Sequence, residues 1–501
     1  MTDGPGGRKL WRFGLTAVLL LAIGLRTYSA FTEAIERDEL FTRDVVSGTL
    51  RAGVGLVLYD RYHPPLYYMM AKALSLAGGT RPEQLRLLSV LCGIGLVVAV
   101  AFVTRALLDN VPLALLAAAL VALSDTQILV SHFARSYALF DLLVLAAAAS
   151  LWKACEAPAD SRFWIGYVAA GVAAVNTSYI GWVYLLGMLP VVAACGARVL
   201  KRWFAATAVI ALSLLPWTLL LVWFSSTRRG FASRLTDLAT NANALPSQWA
   251  LADAFAWLNG RPGPAVWMVG LTVLVGGALV GRAVTAAVRG WKDARSASRS
   301  VGILLLASLA VVPPCALWLL GRPPLSLPLW GIRQLTPSIA PWAIVACAGV
   351  SLIGNRARAL RVLVAASLLV FQGTATAAST LYGRFVPFHS VARLIAEKPS
   401  GSSTVYMLCT PVCGSLLRYY LAAPATLEDL PDTDAALPGS FWLLYRPAEG
   451  AERRRFDALM SRGWVLAFAR DYERRAGIRF VVRVALLTRE GRPRAAAPRV
   501  D

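Results

Sequence analysis

The stretch PPLYYMMAKALSLA, Pro64 to Ala77, decides how the rest of this chain is read. It is apolar enough to enter a bilayer, but it has only about fourteen residues where a spanning helix needs about twenty. It also carries Lys72 and stops at Gly78-Gly79. A segment of that length is expected to lie at the interface or re-enter it, not to cross. The sidedness of every later loop depends on this choice.

Eleven other stretches come near the spanning length: about 10 to 31, 86 to 107, 111 to 130, 137 to 153, 163 to 178, 180 to 197, 203 to 223, 264 to 283, 301 to 320, 335 to 353 and 360 to 382. The composition agrees. With 501 residues, 57% hydrophobic, 16% charged and a mean hydropathy of +0.58, the chain is too apolar for a soluble enzyme and reads as a polytopic membrane protein. A net charge of +22 would suit a nucleic-acid binder if taken alone. In a membrane protein, where the charge lies matters more than its sum.

If 64 to 77 does not span, the short basic loops share one side. They are the N-terminus (Arg8, Lys9, Arg12), Arg105, the Lys153 to Arg162 loop, Arg198 with Lys201 and Arg202, the Arg282 to Arg299 loop with Arg289, Lys292 and Arg295, and Arg356, Arg358 and Arg361. The positive-inside rule makes that side cytoplasmic, with the N-terminus inside and the C-terminus outside. The start of the chain, with basic residues, an apolar run and Ala30, is similar to a secretory signal, and ten further spans favour an uncleaved anchor. The expected location is the inner (plasma) membrane, crossed many times.

After residue 382 the character changes. TVYMLC (404 to 409), FWLLY (441 to 445) and IRFVVRVALL (478 to 487) read as strands, and helical patterns fall near 389 to 397, 414 to 422 and 449 to 462. Residues 1–382 are therefore expected to form an all-α transmembrane domain with juxtamembrane helices, and 383–501 an extracytoplasmic α/β domain. The tail GRPRAAAPRVD has the composition of a disordered segment. Cys92, Cys155, Cys195, Cys315 and Cys347 lie in or beside spans and read as small core residues. Cys409 and Cys413, in CTPVC, are open to pairing as a disulfide or to remaining thiols.

This topology gathers the chemistry on the outer side. The first outer loop holds IERDELFTRD, Ile35 to Asp44, with four carboxylates. Asp38, Glu39, His63, His132, Arg135, Asp141, Asn176 and Arg333 all fall outside or at the outer junctions, whereas the inner loops offer mostly Lys and Arg. Each has an ordinary alternative: Asp38 and Glu39 as solvated charges, Arg26 as a snorkelling anchor, His63 as a cap before Pro64-Pro65, Arg135 as an interfacial anchor. Asp141 is different, because it lies inside a span in SYALFDLLVL. A buried acid there costs about 2.5 to 3.5 kcal/mol on insertion scales, so a paired or functional role is the default.

At these positions the sequence resembles the GT-C superfamily of polyprenyl-phosphate-sugar glycosyltransferases, in particular relatives of the protein O-mannosyltransferases and of the lipid A aminoarabinose transferases. Four pieces carry the resemblance: Asp38-Glu39, the corner YHPPLYY (Tyr62 to Tyr68) followed by the arginine-led span RLLSVLCGIGLVV, the segment ARSYALFD (Ala134 to Asp141), and RQLTPSIAP (Arg333 to Pro341). HPPLYY is fairly specific; a bare Asp-Glu pair is not.

The resemblance implies a GT-C fold and an enzyme that moves a sugar, with inversion, from a polyprenyl-phosphate donor to a lipid, glycan or protein acceptor on the extracytoplasmic face. It implies Asp38 as the base and Glu39 as its companion. Tyr62, His63, Arg135, Asp141, Arg333 and Arg43 are then the candidates for holding substrate or lipid phosphate. His63 stands where the aminoarabinose transferases carry lysine. A divalent metal is admitted by Asp38, Glu39, His63 and His132, but no fixed-spacing motif demands one. Partners are the lipid-linked donor, membrane lipids and the acceptor, with no nucleic acid. Two other classes fit less of the pattern: a flippase for lipid-linked saccharides, and a polysaccharide ligase or polymerase.

Overall fold

The computed structural model describes residues 5–227, 266–291, 293, 296–322, 332–382, 386–398, 402–421, 425–431, 433, 436–474 and 480–489. Most of the loop 224 to 263, much of the loop before Arg333, and the tail GRPRAAAPRVD lie outside the described residues. By packing, the chain divides into two units: residues 1–31 with 41–378, and Thr32–Leu40 with Ser379–Asp501.

Each of the eleven expected apolar stretches contains helix among the described residues, although those at 111 to 130, 163 to 178 and 180 to 197 include non-helical residues. This is what lipid requires, since a backbone with no water to bond must satisfy its N–H and C=O groups internally. The elements are α1 (Pro5–Thr32), α2 (Arg37–Ser47, whose second part belongs here), α3 (Leu50–Asp60), α4 (Leu66–Gly78), α5 (Pro82–Leu108), α6 (Val111–Ala122), α7 (Asp125–Ser131) and α8 (Tyr137–Glu156). They are followed by α9 (Ser161–Val175), α10 (Gly181–Gly187), α11 (Leu189–Ala194), α12 (Ala197–Thr227), α13 (Val266–Gly290) and α14 (Ala297–Leu320). The last are α15 (Ile332–Leu335), a 3-10 turn at Thr336–Ser338, α16 (Ile339–Ser351) and α17 (Arg358–Tyr382).

Among the described residues, α1, α5, α8, α12 and α14 are each long and apolar enough to cross a membrane, and α6 with α7 form a sixth crossing bent by 62°. Leu20, Leu212 and Trp223 are exposed on the first and last of the long early helices, as lipid permits. The stretch 64 to 77 is α4, thirteen residues from Leu66 to a stop at Gly79, whose φ is +90°. At 1.5 Å per residue it reaches about 20 Å, short of the hydrocarbon core. Lys72 Nζ donates to the carbonyls of Val46 (2.5 Å) and Gly48 (2.6 Å), so its charge caps the end of α2.

The bend between α6 and α7 corrects the reading of Arg26. It does not snorkel: it is fully buried, and its guanidinium donates to Ala122 O (3.2 Å), Val121 O (3.3 Å) and Ser131 Oγ (3.1 Å). Ala122 O and Val121 O are among the last carbonyls of α6, where the helix runs out of amide donors, so one arginine on α1 bridges the break from α6 to Ser131 of α7. Gly93 on α5 makes room, because a Cβ there would collide with Ser131 and approach Arg26 Nε at 3.0 Å.

The second unit is α/β. It contains α18 (Phe388–Glu397), β1 (Thr404–Met407), α19 (Thr410–Tyr420), β2 (Thr426–Asp429), β3 (Ser440–Tyr445), α20 (Gly450–Ser461), β4 (Trp464–Arg474) and β5 (Phe480–Arg489). The sheet order is β2-β1-β3-β5-β4, with β1 parallel to both neighbours and the β3, β5 and β4 pairings antiparallel. The sequence pattern misses β2, which is four residues long and largely polar, and β4, whose alternation is broken by a bulge between Leu466 and Phe468. Cys409 and Cys413 form a disulfide across the first turn of α19, with their Cα atoms 5.5 Å apart. Ile35 and Leu40 are buried in this unit's core with Val391, Leu417 and Val484, so the segment Thr32–Leu40 packs here although it lies in sequence beside α1.

Candidate functional site

In the first unit the site is built on HFARS, His132 to Ser136, the short connection between α7 and α8. Its backbone is held by two side chains, one of them backed by a third. Thr42 Oγ1 donates to Ala134 O (2.8 Å), Ser89 Oγ donates to Arg135 O (3.2 Å), and the Tyr67 hydroxyl lies 3.0 Å from Ser89 Oγ. The N–H of Arg135 donates to Phe133 O (2.6 Å), which closes a tight turn. These bonds occupy the polar backbone of a connection with no ladder of its own, as burial demands.

Two guanidinium groups and an imidazole meet aromatic rings around this turn. Arg135, 5% exposed, lies over Phe41 (5.7 Å) and Tyr68 (5.8 Å). Arg333 lies over Phe133 (4.7 Å) and Tyr137 (5.8 Å), which stack on each other at 6.1 Å. His63 meets the Tyr137 ring edge-on at 5.9 Å, with Nδ1 3.5 Å from Ser136 Oγ. Tyr137 thus touches both His63 and Arg333. A planar guanidinium can stack on a ring and still direct its N–H fork at an oxyanion.

Asp141 lies one turn along α8 from Tyr137. Among its described partners there is no cation: Thr336 Oγ1 donates to Oδ1 (2.7 Å) and Gln127 Nε2 donates to Oδ2 (2.8 Å) and to Thr336 O (3.1 Å). The described polar partners of this buried acid are thus a hydroxyl and an amide of the protein itself. The same Thr336 oxygen lies 3.2 Å from Arg333 O, so the network secures the turn that carries Arg333. Tyr184 OH donates to Gln334 O (2.9 Å) and holds that turn from α10.

The other expected residues lie differently. Tyr62 is 60% exposed just after α3, and Arg43 pairs with Asp44 at 3.2 Å. Asn176 ends α9, donating to Val172 O (2.9 Å) and Ser213 Oγ (3.1 Å), and its carbonyl accepts from Leu66 N at the start of α4. His132 is fully buried with Nδ1 2.8 Å from Ile128 O. Among the described residues no three His, Cys, Asp or Glu side chains gather as a metal site. Gln127, Phe133, Tyr137 and Thr336 were not singled out from sequence. Gln127 carried a signal, as a polar residue inside an expected span.

Asp38 and Glu39 belong to the second unit and open α2. Asp38 is half-buried and Glu39 is 1% exposed. Glu39 Oε2 accepts from Glu36 N at 2.9 Å, the reach-back of a capping box.

Residues 59–229, which include His63, Arg135 and Asp141, match the family model for dolichyl-phosphate-mannose-protein mannosyltransferase. Among curated proteins none matches the chain. Among solved structures, ArnT from Cupriavidus metallidurans in the apo state is similar over 94% of this chain and 97% of its own, with 13% identity and a TM-score of 0.54. ArnT bound to undecaprenyl phosphate is similar over 96% and 98%, with 14% identity and a TM-score of 0.53. The oligosaccharyltransferase of Archaeoglobus fulgidus is similar over 85% of this chain and 59% of its own, with 16% identity and a TM-score of 0.48. The chain shares the fold of ArnT.

Proposed function

We propose that this chain transfers a sugar from a polyprenyl-phosphate carrier to an acceptor in the cell envelope, on the extracytoplasmic face of the membrane. The observation that carries the reading is the Tyr137 cluster, where His63 and Arg333 meet one ring. Arg135 stands two residues earlier in the same short connection. The cluster lies largely within the stretch that matches the mannosyltransferase model, and one relative by fold was solved with undecaprenyl phosphate.

The chemistry needs charge stabilisation on the departing phosphate and a base for the acceptor hydroxyl. Arg135 and Arg333 supply positive charge for the first and His63 a ring nitrogen, and a phosphate can accept a bidentate pair from either guanidinium. Asp38 takes the second role, on the resemblance of the first-loop Asp-Glu pair to GT-C enzymes. Glu39, with one carboxylate oxygen committed to Glu36 N, shapes the turn that presents Asp38. Attack opposite the phosphate inverts the anomeric carbon. The distribution of Lys and Arg over the short loops supports a cytoplasmic N-terminus and an extracytoplasmic second unit.

The test uses purified full-length protein, a radiolabelled polyprenyl-phosphate sugar and a membrane extract as the source of acceptors. The reading expects free carrier phosphate and a labelled acceptor, both lost in Asp38→Asn. Movement of the intact donor across a vesicle membrane without glycosidic bond formation would support a flippase instead.

A further inference from the structure

We infer that Tyr420 is a positioning residue for Asp38, held in that role by the core of the second unit; the inference rests on the transfer reading above. The amide of Ile35 donates to the Tyr420 hydroxyl at 2.8 Å, across 385 residues of sequence. Ile35 and Leu40 are both buried in the apolar core formed by α18, α19 and the sheet. Between these two anchors, Glu39 and Leu40 donate their amides to Glu36 O (3.0 and 3.1 Å), and Glu39 Oε2 takes the amide of Glu36. Asp38 sits at the centre of this short, doubly anchored turn, and its side chain keeps partial solvent access.

Tyr420 is itself fixed. Its ring meets Tyr419 edge-on at 4.9 Å and His389 at 6.0 Å, and the helix it ends begins at the Cys409–Cys413 disulfide. A general base works only when it is within hydrogen-bond reach of the proton it removes, and a displacement of about 1 Å can cost about a hundredfold in rate. A loop that ended in solvent would not hold Asp38 to that tolerance. The second unit therefore contributes to the chemical step by fixing the base, in addition to any part in selecting the acceptor.

The experiment compares wild type, Tyr420→Phe and Asp38→Asn as full-length protein in lipid nanodiscs. Tyr420→Phe keeps the ring and removes the hydroxyl that accepts the Ile35 amide. Hydrogen exchange of peptides covering residues 33 to 40 is expected to quicken by about twofold to tenfold, since a lost bond of ordinary strength has that effect. Transfer is expected to lose about tenfold in kcat while KM for the donor stays within about twofold. A role confined to domain stability would change the thermal midpoint and leave kcat of the folded protein alone. Unchanged exchange over 33 to 40 overturns the inference whether or not a transfer substrate is in hand. Wild-type kcat in Tyr420→Phe, with Asp38→Asn inactive, overturns the inference and leaves the transfer reading standing. Wild-type transfer by Asp38→Asn overturns both.

Discussion

Thr336 donates its hydroxyl proton to Asp141 Oδ1 across 2.7 Å, joining residues that are 195 positions apart. Gln127 closes the triangle by donating to both. A buried carboxyl that costs several kcal/mol in lipid is tolerated because its acceptor sites are filled.

Thr336→Val keeps the shape and removes the hydroxyl, leaving an Asp141 oxygen short of a donor. The expected cost is about 1 to 3 kcal/mol, read as a lower thermal midpoint in detergent. Thr336→Ser should recover it. A double-mutant cycle with Asp141→Asn should show coupling, as groups sharing a network do.

Arg333→Ala should lower kcat/KM for the donor by about a hundredfold, equivalent to about 2.7 kcal/mol. Arg333→Lys should recover little, because a point charge neither stacks on the Phe133 and Tyr137 rings nor offers a planar fork. Steady-state kinetics with varied donor would check this; an unchanged donor KM and kcat in both variants would remove Arg333 from the site.

Gly93→Ala tests the packing of the break between α6 and α7. The new methyl would meet Ser131, whose hydroxyl accepts from Arg26. Overpacking of this kind costs about 1 to 3 kcal/mol, so the expected result is a reduced thermal midpoint or reduced yield of folded protein.

The pair Cys409→Ser and Cys413→Ser should destabilise the second unit by about 2 kcal/mol, the chain-entropy value for so short a loop. Peptide mass mapping with and without reductant should find Cys409 and Cys413 linked, and Cys92 and Cys347 alkylated only after unfolding, since both are buried.

Burial, and then the nearby Arg393, hold the His389 imidazole below the usual histidine value of 6.5. The folded state therefore resists the proton that the unfolded chain accepts. As pH falls through about 6.5 this group should withdraw stability from the second unit. His389→Asn should flatten the dependence of the unfolding midpoint between about pH 5 and 7.

The helices of the first unit, the short length of α4 and the presence of a C-terminal α/β unit were legible in the sequence, because lipid forces each apolar segment to satisfy its own backbone and a strand pattern differs from a helical one. The residues His63, Arg135, Asp141 and Arg333 could be picked out from the sequence as candidates by type and position. What they touch was not legible. That Asp141 answers to Gln127 and Thr336, that Arg26 caps a broken helix, and that Ile35 bonds Tyr420 depend on which elements become neighbours. No periodicity records that, since the partners are separated by tens to hundreds of residues and are joined only when helices and sheet pack.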